Sequence, residues 1–242
     1  MSNPSVPSDR ATPPLKIRLQ ILDKSTPQST FTDIAYLLTA VFGDTGTVWD
    51  YMFPPPRPSD ESRAVLGGLQ QALDARKSTV LYVIAVGSFP DGQERILGMA
   101  VWGKPGFRYE PLLEETMAQK QKEAFEGYNL AFRNEWKGTP QRQRDELMGD
   151  APYWYQNGLA VHPAYQGRKI GSTLLDYGLA IADKENLPVL LEATEAGRPL
   201  YESRKFVKVL EYPNCIHYAG LEETRFPLYR RPAQGLACSN GV

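Results

Sequence analysis

The window from Leu159 to Ser172 limits the fold more than any other stretch of this 242-residue chain. Leu159-Ala160-Val161 is apolar and closes at His162-Pro163. Ala164-Tyr165-Gln166-Gly167-Arg168-Lys169 is a short loop with a glycine and two cations. From Ile170-Gly171-Ser172 the pattern turns helical and stays so to about residue 185. A strand that turns directly into a helix is the repeating step of α/β architectures, where helices cover a sheet. The start of such a helix presents unpaired backbone N–H groups and the positive end of the helix dipole, which suits a phosphate or pyrophosphate. Gly167 and Gly171 lack a Cβ and let backbone come close to a ligand or a neighbouring strand. Arg168 and Lys169 add charge of the right sign. The spacing is neither a Walker loop nor a dinucleotide fingerprint. On the loop alone, an ordinary turn with solvated cations is an equal alternative.

The rest of the chain supplies the elements such a sheet needs. Residues 16–21 alternate polar and apolar, as a half-buried strand does. Phe31, Ile34, Ala35, Leu38 and Val41 repeat at helical spacing. A stiff loop, Pro54-Pro55-Pro56-Arg57-Pro58, precedes a helix expected from Ser59 with a stripe through Val65, Leu69 and Leu73. Residues 79–86 and 95–102 are β-rich and flank Pro90-Asp91-Gly92, the pattern of an antiparallel hairpin. Residues 111–148 are charged and helical, with a stripe through Leu113, Met117, Ala124, Tyr128 and Phe132; their charges suggest a solvated face. Strands at 153–161, 189–194 and 206–210 alternate with helices at 171–185 and 199–204. The expected organisation is a disordered arm over 1–14, one α/β domain over 15–230 with a helical insertion at 105–150, and a loose tail over 231–242.

Composition narrows the function. Lys and Arg total 27 against 28 Asp and Glu, a net charge of −1, without the basic excess of a general nucleic-acid binder. No apolar run approaches the ~20 residues of a membrane span, and no basic-then-apolar leader opens the chain. Two cysteines (Cys215, Cys238) and two histidines (His162, His217) make a disulfide framework or structural zinc site a poor expectation. An intracellular, metal-free protein is expected, with the cytoplasm as the first compartment and the nucleus as the alternative.

The run from Gly158 to Val209 resembles the acetyl-CoA-dependent N-acetyltransferase superfamily, GNAT. The family's phosphate-binding signature, Q/R-x-x-G-x-G/A, is matched by Gln166-Gly167-Arg168-Lys169-Ile170-Gly171. Its second signature, a helix carrying a Tyr and then a strand-opening Phe, is matched by Gly197-Arg198-Pro199-Leu200-Tyr201-Glu202-Ser203-Arg204-Lys205-Phe206. Two positions depart: Lys169 and Lys205 stand where the family usually carries Gly.

The resemblance implies a mixed central β-sheet flanked by helices, with the helical insertion before the fourth strand. It implies that the fourth and fifth strands run parallel and splay, so that a pantetheine arm pairs with the backbone of Leu159, Ala160 and Val161 like an added strand. A backbone N–H there would polarise the thioester carbonyl. Gln166, Gly167, Arg168, Lys169, Ile170, Gly171 and Ser172 would cradle the pyrophosphate, and Tyr201 matches the general acid that protonates the leaving thiolate. Glu192, sharing a strand face with Leu190 and Thr194, is a candidate base, with Asn157 and Tyr155 acting through water as another; a partnered structural carboxylate is the equal alternative for Glu192. The activity so implied is direct transfer of acetyl from acetyl-CoA to a primary amine, with no cysteine in the motif region to carry the acyl group. A non-catalytic acyl-CoA-binding module of the same fold, or an O-acetyl or other acyl transferase, are the alternatives. The acceptor stays open among protein lysine, polyamine, amino sugar and small xenobiotic amine, as does a homodimer.

Overall fold

The structure is a computed structural model that describes residues 16–42, 51, 68, 72, 74–111, 128–211 and 226–234. The arm over 1–14, the proline loop, most of the helix expected from Ser59, residues 112–127 of the insertion, both cysteines and the tail beyond 234 lie outside the described residues.

In chain order the elements are β1 (Lys16–Leu22), α1 (Gln28–Phe42), β2 (Val80–Ser88), β3 (Glu94–Gly103), α2 (Leu130–Met148), β4 (Trp154–Val161), a 3-10 turn (Pro163–Tyr165), α3 (Ile170–Lys184), β5 (Val189–Glu192), α4 (Arg198–Glu202), β6 (Val207–Leu210) and β7 (Leu228–Arg231). The strands form one seven-stranded sheet in the order β1-β2-β3-β4-β5-β7-β6. Every pairing is antiparallel except β4 with β5.

The first four strands follow from alternation. Tyr82, Ile84 and Val86 of β2 point to one face, where Phe31, Ile34 and Leu37 of α1 cover them. Val83 and Ala85 point to the other, where Leu174, Leu175 and Leu179 of α3 cover them. A sheet covered on both faces needs strands that are apolar throughout, which the runs at 79–86 and 95–102 supply. The hairpin between them closes as its turn residues demand: Phe89 N–H donates to Gln93 O, and Gly92 adopts φ +77°. α3 is held down by Leu174 and Leu175, both fully buried; each such side chain contributes roughly 1.5–3 kcal/mol. Gly178 lets α3 approach, since a Cβ there would sit 2.1 Å from the Trp102 ring.

Three features differ from the sequence expectation. β7 lies between β5 and β6, and nothing in the short run after Phe226-Pro227 marks it as a strand beyond four residues of mixed polarity. Arg231, expected to open a loose tail, instead closes β7 with 8% of its surface exposed and grips Asp183 through two bonds of 2.5 and 2.9 Å. The charges of α2 are not all on a solvated face either: Arg142 and Glu146 are exposed, but others are not. Arg133 and Arg144 are buried at 5% and 2% exposure, on the side of the helix that meets the protein.

Candidate active site

The parallel strands β4 and β5 stay together for two residue pairs only, Trp154 with Val189 and Tyr155 with Leu190. β4 continues to Val161 against β3 alone. A β-bulge marks the point of departure: β3 pairing steps from Val101–Gly158 to Trp102–Gln156, leaving Asn157 as the extra residue. His162 N–H donates to Leu97 O at 2.9 Å. By the alternation of an antiparallel ladder, Gly158 and Ala160 also turn their backbone groups to β3, while Leu159 and Val161 turn theirs into the gap. Gln166 Nε2 already reaches into that gap, donating to Val161 O at 3.1 Å. Of the three residues expected to pair with a pantetheine arm, Leu159 and Val161 thus have the required direction. Ala160 faces its backbone to β3 and its side chain to the core beneath α1.

At the end of β4 the chain enters the signature loop. His162 Nδ1 accepts from Ala164 N–H at 3.2 Å, a structural use of the histidine that fixes the turn. Gly167 adopts φ +74°, and Lys169, the N-cap of α3, adopts φ +63°, ψ +9°. Lys205, the other position where the family usually has glycine, sits at φ +66°. Both lysines therefore hold the left-handed backbone that glycine adopts freely, at a cost of about 1–2 kcal/mol each. At both positions the side chain departs from the motif while the backbone takes a conformation that glycine favours.

Lys169 makes no side-chain cap. The first bond along the helix runs from Thr173 N–H to Lys169 O at 2.9 Å, so the N–H groups of Ile170, Gly171 and Ser172 have no helical acceptor. Gln166, Gly167, Arg168 and Lys169 are exposed around them. At Gly171 a Cβ would meet Val161 and Leu200 side chains at 3.5 and 3.7 Å, ordinary contact; the bare glycine is not needed to fit the fold.

Tyr201 lies on α4, on the α3 side of the sheet, in the cluster of Ile170, Leu174, Ala193 and Phe206. It is buried, its ring is edge-on to Phe206, and its hydroxyl has no hydrogen-bond partner among the described residues. Burial pushes that hydroxyl up to about 12.

Glu192 ends β5 two residues past the last β4–β5 pair, level with Asn157. It shares a face with Leu190 and Tyr155, opposite to the face that carries Tyr201. Arg144 Nη1 donates to one carboxylate oxygen at 2.5 Å and the Tyr155 hydroxyl donates to the other at 2.5 Å. The Arg144 guanidinium also lies 3.6 Å over the Tyr155 ring. Burial works against the charge on Arg144, but Tyr155 and Glu192 outweigh it and hold the guanidinium ionised. Burial raises the Tyr155 hydroxyl well above its ordinary value. Both carboxylate oxygens are engaged by protein donors, and this geometry favours a held carboxylate for Glu192.

Arg144 belongs to a row that periodicity did not reveal. Arg133, Lys137, Gln141 and Arg144 recur along one side of α2 (i, i+4, i+8, i+11). Arg133 donates to the Tyr109 hydroxyl and to Asn134 Oδ1. Burial, with Arg133 and Arg144 acting in the same direction, lowers Lys137, while Asp74 and Glu192 oppose the shift. Beside the row stands an aromatic series: Tyr51 on Phe132, Phe132 on Trp136, and Trp136 edge-on to Phe226. Among the described residues, no group of three or more His, Cys, Asp or Glu could hold a metal, and no helix is long and apolar enough to cross a membrane.

Residues 117–208 match the family model described as an acetyltransferase (GNAT) domain. No curated protein matches the sequence significantly. Among solved structures, a histone acetyltransferase HPA2 and related acetyltransferase from Corynebacterium glutamicum is 18% identical, with 90% of this chain and 98% of that one covered and a TM-score of 0.58. Mosquito arylalkylamine N-acetyltransferase like 5b is 14% identical, covering 90% and 100%, with a TM-score of 0.55. The Drosophila melanogaster polyamine N-acetyltransferase has the same identity, coverage and score. At these identities the likeness is one of fold.

Proposed function

For a chain that carries a GNAT acetyltransferase domain, we propose transfer of acetyl from acetyl-CoA directly to a primary amine, with the thioester and the amine meeting through the gap between β4 and β5. The observation that carries this is the divergence of the two strands after Tyr155 and Leu190, next to a helix start with no cap. Two of the similar folds are named for arylalkylamine and polyamine acetylation, which supports an amine as the acceptor class.

The residues present fit acetyl-CoA, which supplies the acetyl group as a thioester. Backbone N–H groups of Ile170, Gly171 and Ser172, with Gln166, Gly167 and the charges of Arg168 and Lys169, would hold the pyrophosphate at the positive end of α3. Leu159 and Val161 turn backbone groups into the gap, where an extended arm would pair once it displaces Gln166 from Val161 O, and one of their N–H groups would polarise the carbonyl.

Tyr201 stays protonated at every working pH, because burial holds it near 12. Complete proton transfer from so weak an acid to a free thiolate of ordinary pKa, ~8.5, is uphill. The hydroxyl therefore acts as a hydrogen-bond donor to charge developing on sulfur, and the proton the thiol finally keeps is balanced by the one the amine gives up. On the opposite face, Glu192, held by Arg144 at one oxygen and Tyr155 at the other, is the carboxylate that meets the incoming ammonium. It orients the acceptor, and the amine's proton leaves through water beside Asn157 and Tyr155.

The test is thiol release from acetyl-CoA across an amine panel, with the product identified by mass. The expected product is an N-acetyl amine. Acyl-CoA binding without turnover of any acceptor supports the non-catalytic module, and an O-acetyl product supports the other transferase.

A further inference from the structure

The inward row of α2 is cationic where a sheet-packing helix is usually apolar. Arg133 and Arg144 are buried, and Lys137 is half-buried between them on the same side. The carboxylate of Glu192 is shared by Arg144 and Tyr155. Arg133 is bonded to a phenol and an amide. Lys137 forms no ion pair or hydrogen bond among the described residues, and Asp74, which also faces this region, lies 3.8 Å from Lys77 instead. A desolvated cation with no carboxylate in direct contact is costly, and two neighbouring cations add to that cost, which the more distant charges of Asp74 and Glu192 offset only in part. A simple ammonium brought to this wall would be repelled. The wall stands on the face of the sheet that carries Glu192, the face from which the acceptor approaches.

We propose that the acceptor carries an oxyanion, carboxylate or phosphate, beside its amine, and that Lys137 is the residue that receives it. The zwitterion lies along the α2 row, its ammonium toward Glu192 and its anion on Lys137, with Arg133 and Arg144 supplying field of the same sign. This rests on the amine-transfer assignment above and narrows its acceptor class.

The experiment uses the full chain and acceptor pairs that differ only in the anionic group: phenethylamine with phenylalanine, putrescine with ornithine, and ethanolamine with phosphoethanolamine. The readout is the ratio of kcat/KM between the two members of a pair. The expected result is a preference of about tenfold or more for the anion-bearing member, equivalent to about 1.4 kcal/mol. The amino-acid pairs favour a carboxylate source, and the last pair a phosphate. Lys137→Met should collapse the ratio and Lys137→Arg should keep it. A ratio near one in the wild type, or one that Lys137→Met leaves unchanged, overturns the proposal even if every amine is acetylated. Where no acceptor is turned over, the amine-transfer assignment fails first. Calorimetric titration of N-acetylphenylalanine against N-acetylphenethylamine then decides the anion site separately, and equal binding of the two overturns it.

Discussion

The two faces of the sheet meet at one gap but are built in opposite ways. On the α3 face, the candidate site is mostly backbone: the N–H groups at the start of α3, the edges of Leu159 and Val161 that face the gap, and Lys169 holding a glycine-like turn. These come from one continuous stretch, to which α4 adds the Tyr201 hydroxyl. On the α2 face it is side chain: Arg144, Tyr155 and Glu192 come from a helix and two strands, with 48 and 37 residues separating Glu192 from its partners. A backbone site tolerates changes of side chain so long as the turn survives, whereas a side-chain site is lost with any one member. That contrast can be tested on both faces.

Tyr201→Phe carries the largest expected effect. Ring packing against Phe206 is kept and the donor is lost, so turnover should fall by about 10²–10³ with little change in acetyl-CoA affinity. Because burial places the hydroxyl near 12, the group is protonated below that pH. Wild-type kcat should therefore show no falling limb from this residue until the pH climbs toward 12. Steady-state rates between pH 6 and 11 check both points. Retention of most turnover would leave the α3 face as a binding surface only.

Arg144→Met comes next. It strands a nearly buried carboxylate and a buried phenol that now share one guanidinium, and should lower stability by about 3 kcal/mol in urea unfolding. Acetyl-CoA affinity measured on the folded protein should hold, since α3 and its loop lie across the sheet. A loss of affinity to match would mean that the two faces are not independent.

The smallest effect is expected at Lys169→Gly. Relief of a left-handed backbone is worth about 1–2 kcal/mol, offset by about 0.5–1 kcal/mol of added chain entropy, for a net gain of roughly 0.5–1 kcal/mol. A small rise in Tm is the expected outcome. A fall in Tm would show that the Lys169 side chain contributes more to the turn than its backbone costs.

The same contrast decides what the sequence reveals. The hairpin of β2 and β3, the strand–loop–helix step into α3 and the Tyr201 helix are all legible, because each is specified by residues adjacent in the chain: alternation, turn residues and helix-opening chemistry. β7 is not, since its four residues become a strand only by lying between β5 and β6. The α2 row is not, because hydrophobic periodicity looks for apolar faces and Arg133, Lys137 and Arg144 read as solvated charge. The available signal was their common side of the helix, combined with Gly138 and Pro140 in the middle of a helix poor in apolar residues. Glu192 was legible as an unusual mid-sheet carboxylate; its partners, fixed only by the fold, were not.

The two rungs joining β4 to β5 have one more consequence. Mechanically they are a seam between a four-stranded half whose strands pair in chain order and a three-stranded half whose order is shuffled along the chain. An extended ligand pairing with Leu159 and Val161 would stitch that seam and remove a bare strand edge of the kind that invites unwanted association. Stability and occupancy then become one quantity, rising with ligand concentration over its dissociation constant. The abundance of such a protein in a cell would follow the supply of its acyl donor.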